Sequence, residues 1–268
     1  MVQVICPVCG ALLTTEKPAW RCEKGHCFDV ARQGYVNLLT VQQKHSLHPG
    51  DTAEMVLARR RFLQAGHYFR IRGKLRRMLD RFAPEAQRIL DVGCGEGYYL
   101  IGVLGQERWG VDISKDAVRH AAARDKSAHF VTATAAHLPF AAGSFDAVLS
   151  MFALTVEEEY ARVLDENGIF IQVLAGEKHL QGLKSIIYPS LTEKPKNLQP
   201  ELEGFTLLHH EVLEFPLHLE DAQSVQDLLS MTPHLWRISK EGAERLAQTE
   251  RLEDRAEVVF NVYRRQSV

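Results

Sequence analysis

The sequence lacks the features of a membrane or secreted protein. None of its apolar runs approaches the roughly 20 residues that a membrane span requires. Its first ten residues, MVQVICPVCG, contain neither a basic segment nor a long apolar one, which excludes a signal peptide of the usual form. We therefore expect a cytoplasmic protein that does not contact membranes. Its five cysteines are expected to be reduced thiols or metal ligands, not disulfides.

The sequence also lacks an overall excess of charge, but its charges are unevenly distributed. The formal net charge is −2, and the contents of 46% hydrophobic and 25% charged residues are ordinary for a globular protein. Residues 1–82 carry 14 Lys and Arg against 6 Asp and Glu, whereas the remaining residues carry 18 against 28. This asymmetry indicates that the N-terminal third contacts a polyanion. A chance excess on a solvated surface is the alternative.

Four of the five cysteines lie near the N-terminus with the spacing of a structural zinc site. Cys6 and Cys9 are separated by two residues, and Cys22 follows after twelve more. Two short turns of this kind present two pairs of ligands that complete a tetrahedron. The fourth ligand is either His26 or Cys27, and we favour His26 because adjacent residues of a strand face opposite sides. Zinc would supply folding energy that so small a segment lacks.

A basic segment after the cysteines is predicted to form two helices. The first is capped by Asp51 or Thr52 and ends before Gly66. The second covers RIRGKLRRMLDRF, and residues 58–82 contain nine Lys and Arg and one acid. Guanidinium groups bind phosphate oxygens bidentately, so the segment is predicted to contact nucleic acid. Solvated amphipathic helices are the alternative.

The stretch RILDVGCGEGYYL combines a short apolar strand with a glycine loop. A strand, glycine loop and helix in succession allow a nucleotide-like ligand to approach the backbone at the edge of a parallel sheet. Tyr98 stands where the dinucleotide-binding fingerprint requires a small residue. The run of Asp91, Gly93, Gly95 and Gly97 instead resembles motif I of class I S-adenosylmethionine methyltransferases.

A second apolar strand, WGVDIS, ends near Asp112. A carboxylate at this strand end can accept hydrogen bonds from both ribose hydroxyls of such a cofactor. Further strands at AHFVT, SFDAVLS and GIFIQV alternate with helices, which predicts a doubly wound α/β sheet. The alternative is that Asp91 and Asp112 merely cap helices or turns.

The order of these segments resembles the RlmA family of 23S rRNA guanine-N1 methyltransferases. The resemblance covers nearly the whole chain and includes GYVNLL, PGDTAEMVLARRRFLQAGHY, LDVGCGEGYY, KHLQGLKSIIY and MTPHLWR. It implies an α/β fold with a small N-terminal zinc-binding domain for RNA recognition (1–40), a basic helical linker (41–83) and a Rossmann-like class I methyltransferase domain (84–268). It also implies a homodimer whose cleft receives a hairpin of 23S rRNA.

The same resemblance assigns site residues. From the residues alone, Tyr68 is predicted to be core and His179 a surface histidine, whereas the family places both against the cofactor. The zinc ligands carried over are Cys6, Cys9, Cys22 and His26. Together with the motif residues, the predicted contacts to S-adenosylmethionine are Tyr68, Asp91, Gly93, Gly95, Glu96, Gly97, Asp112 and His179.

One loop departs from the family pattern. After the fourth strand, family members tend to have an aromatic residue, alanine and proline, whereas this chain has Phe152, Ala153 and Leu154. A target base would enter at this loop, so Phe152 is a candidate for stacking on it, as is Trp236. The sequence assigns no catalytic base. The alternative functions are a small-molecule methyltransferase of the quinone-biosynthesis type and an rRNA-binding protein without turnover.

Overall fold

The structure, a computed structural model, describes residues 1–44, 49–191 and 195–266. Within these ranges, helices flank an eight-stranded sheet, and a second sheet of three strands lies near the N-terminus. The helices are α1 (Ala53–Gln64), α2 (Phe69–Phe82), α3 (Lys115–Arg124), α4 (Glu157–Val163), α5 (Gln181–Ile187), α6 (Ala222–Ser230) and α7 (Lys240–Ala247), with 3₁₀ turns at Val41–Gln43 and Pro233–Trp236. None of the helices in these ranges has both the length and the apolarity that a bilayer crossing requires.

The N-terminal segment forms a small antiparallel ribbon. Its strands, in order of pairing, are β1 (Leu13–Thr14), β2 (Ala19–Cys22) and β3 (Cys27–Asp29). Gly10 and Gly25 adopt φ angles of +74° and +83°, which glycine reaches without steric cost. These two turns follow Cys9 and precede His26, so they bring the two halves of the predicted ligand set to one end of the ribbon.

The eight-stranded sheet is parallel over most of its width. Its strands are β4 (Val36–Asn37), β5 (Arg88–Val92), β6 (Glu107–Asp112), β7 (His129–Thr132), β8 (Phe145–Met151), β9 (Leu164–Ala175), β10 (Phe205–Leu219) and β11 (Leu252–Arg265). They lie in the order β10-β11-β9-β8-β5-β6-β7-β4. Strands β4 to β9 pair in parallel, while β11 is antiparallel to both β9 and β10. The predicted α/β fold is confirmed.

The order of strand addition reverses at β5. Strands β6 and β7 lie on one side of it, and β8 and β9 lie on the other. The loops that leave β5 and β6 therefore diverge at the carboxyl edge, where open α/β sheets bind their ligands. The glycine loop follows β5, and Asp112 is the last residue of β6, so both predicted cofactor elements lie at this point.

Apolar side chains cover both faces of the central strands. Ile89 of β5 belongs to a buried cluster with Phe62 of α1 and Ile71 of α2. The neighbouring Leu90 and Val92 belong to the cluster on the other face. Because both faces are covered, the central parallel strands are apolar at nearly every position.

The helix expected after the glycine loop does not form. Residues 93–104 consist of turns. Gly97 and Gly102 adopt φ angles of +78° and +82°, and left-handed residues end an α-helix instead of continuing it. Tyr98, Tyr99 and Leu100 are nevertheless buried, so the segment packs on the sheet as a series of turns.

The N-terminal segment shares the main sheet instead of standing apart from it. Strand β4 pairs with β7 as the edge strand, and Val4 forms an isolated bridge with Phe140. The rings of Trp20 and Trp109 lie 6.2 Å apart between their centroids. The first 40 residues, predicted as a separate domain, therefore include one strand of the main sheet. The ribbon also covers apolar surface of that sheet, at Trp109.

Candidate functional site

The ribbon brings the four predicted zinc ligands together. The ligand atoms of Cys6, Cys9, Cys22 and His26 all lie within 4.8 Å of one another. The Sγ atoms of Cys9 and Cys22 are 3.8 Å apart, and His26 Nδ1 lies 3.5 Å from Cys6 Sγ and 3.3 Å from Cys22 Sγ. Zinc–sulfur bonds of about 2.3 Å place tetrahedral thiolates about 3.8 Å apart. The cluster therefore fits Zn²⁺, and the exposed Cys27 is outside it.

The glycine loop is shaped by a close approach and by Asp112. A Cβ atom on Gly93, whose φ is +75°, would lie 2.5 Å from the Cβ of Ala153. Asp112 accepts hydrogen bonds from the backbone N–H of Gly95 at 2.9 Å and of Ser114 at 2.8 Å. The carboxylate therefore ties the loop after β5 to the end of β6.

Asp91 is a buried carboxylate beside this loop. Neither of its oxygens has a hydrogen-bond partner within the described part of the chain, and its side chain is fully buried. Burial, with the Asp112 carboxylate as the second cause, raises the pKa of Asp91 to about 7. A buried, unpaired acid of this kind is typical of functional sites.

The Asp91→Asn variant is expected to lose part of the pH dependence of stability. An unfolded aspartate loses its proton near pH 4, whereas folded Asp91 holds it to about pH 7. The folded state binds the extra proton in this window, so the free energy of unfolding of the wild type falls as pH rises through it. Urea unfolding measures the free energy of unfolding at pH 5 and at pH 8. Between these two pH values, the wild type should lose about 3 kcal/mol more of it than the variant does. If the difference in unfolding free energy between variant and wild type is the same at both pH values, the pKa of Asp91 is not raised.

Tyr68 and His179 meet in the interior although they are far apart in the sequence. Tyr68 precedes α2, and its Oη lies 3.4 Å from His179 Nε2. The backbone N–H of Glu257 donates to His179 Nδ1 at 3.2 Å, so Nε2 carries the ring proton. Burial, followed by the charges of Lys184 and Lys196, lowers the pKa of His179 to about 3. His179 is therefore a neutral group that orients the Tyr68 hydroxyl.

A cavity of about 1260 Å³ adjoins the carboxyl edge of the sheet. Small-ligand sites occupy roughly 300–1,000 Å³, so this cavity has room for a cofactor and part of a second substrate. Tyr68 and His179 line it. Ala153 and Arg59 also line the cavity. Ala153 lies against Gly93 and Arg59 lies against Gly95, so these two residues connect the glycine loop to the cavity.

Two aromatic side chains are exposed in the cavity. Phe152 is 36% exposed, and its ring centroid lies 6.3 Å from that of Tyr68 and 6.2 Å from that of His179. Its φ of +58° is uncommon for a residue with a side chain and is found where a functional site fixes the backbone. Trp236 is 69% exposed. Neither predicted stacking candidate belongs to the apolar core.

Of the eight predicted cofactor residues, Tyr68 and His179 line the cavity. Glu96 does not, and neither do Asp91, Gly93, Gly95, Gly97 and Asp112. The carboxylate of Glu96, which is 2% exposed, accepts hydrogen bonds of 2.6 and 2.5 Å from Arg124 Nη1 of α3. Burial raises the pKa of Glu96, and Arg124 opposes that rise. Arg124 of α3 thus holds the carboxylate of Glu96, which is itself a residue of the glycine loop.

Comparisons with known proteins agree with both parts of this architecture. Residues 4–47 match the zinc-ribbon family model described as RlmA, N-terminal, and residues 90–171 match the model described as Methyltransferase domain. A Bacillus subtilis protein named "Putative 23S rRNA (guanine-N(1)-)-methyltransferase" is 30% identical over 253 residues, covering 88% of each chain. The chain belongs to the RlmA family of 23S rRNA (guanine-N1)-methyltransferases. The predicted family is therefore confirmed.

Two further relatives match a shorter part of this RlmA-family chain. The 23S rRNA (guanine(748)-N(1))-methyltransferase of Streptomyces fradiae is 38% identical over 66% of this chain and 65% of its own length. A Micromonospora griseorubida protein with the same name as the Bacillus relative is 37% identical over 65% of this chain and 66% of its own length. The chain thus spans about two thirds of the length of these two relatives.

The arginines of α1 in this RlmA-family protein face partners inside the chain. Arg59 binds Asp51, and Arg61 forms two hydrogen bonds with Asp227 of α6. The third arginine, at position 60, lies 3.3 Å from a ring nitrogen of His120. The contacts of Arg60 and Arg61 join α1 to α3 and α6. The three arginines of α1 thus have partners within the described chain, and the contact of this helix with phosphate stays a prediction.

Sequence reasoning missed the position of Asp51 and Arg59 in the site. Asp51 was predicted only as one of two possible caps, but Thr52 caps α1 by accepting from the Met55 N–H at 3.3 Å. Asp51 and Arg59 both line the cavity instead. Helical periodicity could not have paired them, because Asp51 precedes the Thr52 cap and lies outside the helix.

Proposed function

We propose that this chain transfers a methyl group from S-adenosylmethionine to N1 of a guanine in 23S rRNA. The observation that carries the proposal is the junction at the β5 switch point, where the glycine loop adjoins a cavity lined by Tyr68 and His179. The acceptor atom and the RNA follow from the names of the relatives. The cofactor supplies a methyl group already activated on a sulfonium, so the protein mainly has to align the reactants and exclude water.

The residues present fit this cofactor. Asp112 stands at the strand end where a carboxylate meets ribose hydroxyls, Gly93 leaves no room for a side chain, and Asp91 offers buried oxygens without described partners. His179 would hold the Tyr68 hydroxyl in place beside the ligand. The proposed cofactor-binding residues are Tyr68, Asp91, Gly93, Gly95, Glu96, Gly97, Asp112 and His179.

Cationic groups in the cavity suit a guanine that loses its N1 proton. Neutral guanine carries a proton on N1, so the site must help to remove it or stabilise the negative charge that remains. Lys184 and Arg237 line the cavity with His234, and burial together with these cations lowers the pKa of His234 to about 4. The positive charges of Lys184 and Arg237 disfavour a cationic imidazole and favour an anionic base, whereas burial, the larger cause of the lowered pKa, disfavours any charge. We propose that these cations stabilise the developing guanine anion.

The target guanine would enter the cavity unpaired. N1 lies on the Watson–Crick edge, so a guanine in a duplex is inaccessible, whereas a splayed base of a hairpin loop can be stacked on an aromatic side chain. Phe152 and Trp236 provide such surfaces at the cavity. The loop without the family's proline is thus the proposed entry point for the base.

Phosphate contacts are proposed for α2 and the ribbon. Arg76, Arg77 and Arg81 are exposed on α2, and exposed guanidinium groups bind RNA phosphates. The zinc ribbon would add RNA recognition, which a small-molecule substrate would not require. We also propose that the protein acts in the cytoplasm as a homodimer whose cleft receives the rRNA hairpin.

Methylation of isolated RNA tests this function. Purified protein with tritiated S-adenosylmethionine and 23S rRNA should yield labelled 1-methylguanosine after nuclease digestion, and 16S rRNA should remain unlabelled. Label in a quinone precursor and none in RNA would support a small-molecule methyltransferase. Binding of both cofactor and 23S rRNA without transfer would support an rRNA-binding protein.

A further inference from the structure

Arg59 is a fixed cation inside the cavity. Its Nε and Nη2 atoms lie 3.1 and 2.7 Å from Asp51 Oδ2, and Nη2 also donates to the backbone oxygen of Met231 at 3.2 Å. Only 26% of the arginine side chain and 28% of the aspartate side chain are exposed. Two acceptors on different elements therefore hold one edge of the guanidinium in a defined orientation.

The position of Arg59 places it beside the glycine loop. Its Cδ atom lies 3.8 Å from the point that a Cβ on Gly95 would occupy. Its charge also reaches the carboxyls of Glu96 and Asp112, where it opposes the rise in pKa that burial causes. Arg59 is thus the cation that α1 contributes to the proposed cofactor site.

The guanidinium retains donors for a ligand. Arginine has five N–H donors, and the bonds to Asp51 and Met231 use only Nε and Nη2. Among the hydrogen bonds of the described residues, none involves Nη1 of Arg59. Its two N–H groups therefore remain for a ligand in the cavity that the side chain lines.

We propose that Arg59 binds the α-carboxylate of the methionyl end of S-adenosylmethionine and that Asp51 orients its guanidinium for this contact. This inference rests on the proposed cofactor site. The α-carboxylate is the cofactor's one anionic group, and a hydrogen bond from Nη1 to it joins two charged groups, which makes it stronger than one between neutral groups. An RNA phosphate is the less suitable occupant, because Arg59 lies against the glycine loop and not on the exposed face of a helix.

Two ligands that differ only at the amino-acid end test the contact. S-Adenosylhomocysteine carries the α-carboxylate, whereas 5′-methylthioadenosine has the same nucleoside and a thioether without it. Calorimetry should show Arg59→Gln weakening S-adenosylhomocysteine on the order of 10- to 100-fold while leaving 5′-methylthioadenosine within about twofold. The control is Arg60→Gln, which removes a positive charge from the next residue of α1. It should change the affinity for neither ligand. Equal losses for both ligands, or no loss, would overturn the inference.

A double variant excludes repulsion from Asp51 as the cause. Without Arg59, the Asp51 carboxylate could repel the carboxylate of S-adenosylhomocysteine. Arg59→Gln combined with Asp51→Asn removes this repulsion, and the weak binding should persist. Recovery of wild-type affinity in the double variant would overturn the inference. Failure of the wild type to bind either ligand would instead contradict the proposed function itself.

Discussion

Replacing Cys22 by serine is expected to remove zinc from the protein and unfold the N-terminal ribbon. Cys22 Sγ lies within 3.8 Å of both Cys9 Sγ and His26 Nδ1, so the change removes one corner of the tetrahedron. Structural zinc supplies about 10–16 kcal/mol of apparent binding energy in small fingers, and the other buried side chains of the ribbon, such as Leu13 and Trp20, pack in a cluster shared with the main sheet. Because Trp20 packs near Trp109, the main sheet should also lose stability.

The matched control is Cys27→Ser. Cys27 is exposed, begins β3 and lies outside the cluster, so this variant should keep about one zinc per chain. Metal content by elemental analysis and thermal unfolding separate the two variants. Loss of zinc from Cys27→Ser together with its retention in Cys22→Ser would show that the ligand set is wrong.

The Gly93→Ala variant is expected to lose cofactor affinity by more than about tenfold. The new Cβ would lie 2.5 Å from Ala153 Cβ, so the loop after β8 or the glycine loop must shift. The φ of +75° adds a backbone cost of about 1–2 kcal/mol for an alanine. Both changes fall where the glycine loop adjoins the cavity, and calorimetry with S-adenosylhomocysteine measures the result.

Two variants separate the steric contact from the backbone cost. Gly102→Ala has a comparable φ of +82° but no atom within 4 Å of the new Cβ, so it should cost stability without a comparable loss of affinity. Adding Ala153→Gly to Gly93→Ala removes the facing methyl group and should restore part of the affinity. If it restores none, the close approach of Ala153 is not the cause.

Much of the fold could be predicted because its determinants are local. The apolar run before Gly93 and the cap at Thr52 are sequence signals that the structure reproduces as β5 and α1. The choice of His26 over Cys27 rested on strand alternation, and the structure brings His26 to the cysteine cluster and leaves Cys27 exposed. Periodicity, caps and ligand spacing act over few residues, so they can be read without the tertiary structure.

The remaining features depend on contacts between distant segments. Arg61 lies in a basic segment typical of phosphate binding, but it forms hydrogen bonds with Asp227, 166 positions away in the sequence. The pairing of β4 with β7 likewise has no local signal. The expected helix after motif I does not form because Gly97 and Gly102 both take left-handed conformations, which glycine can adopt without being required to by the local sequence.

Primer extension across 23S rRNA treated with the purified protein and S-adenosylmethionine tests the central claim most directly. A methyl group on guanine N1 prevents Watson–Crick pairing, so reverse transcriptase should stop one nucleotide before the modified base. We expect a single new stop, at a guanine in a hairpin loop, that disappears when the cofactor is omitted. An unchanged pattern from protein that binds the cofactor would contradict guanine-N1 methylation of this RNA.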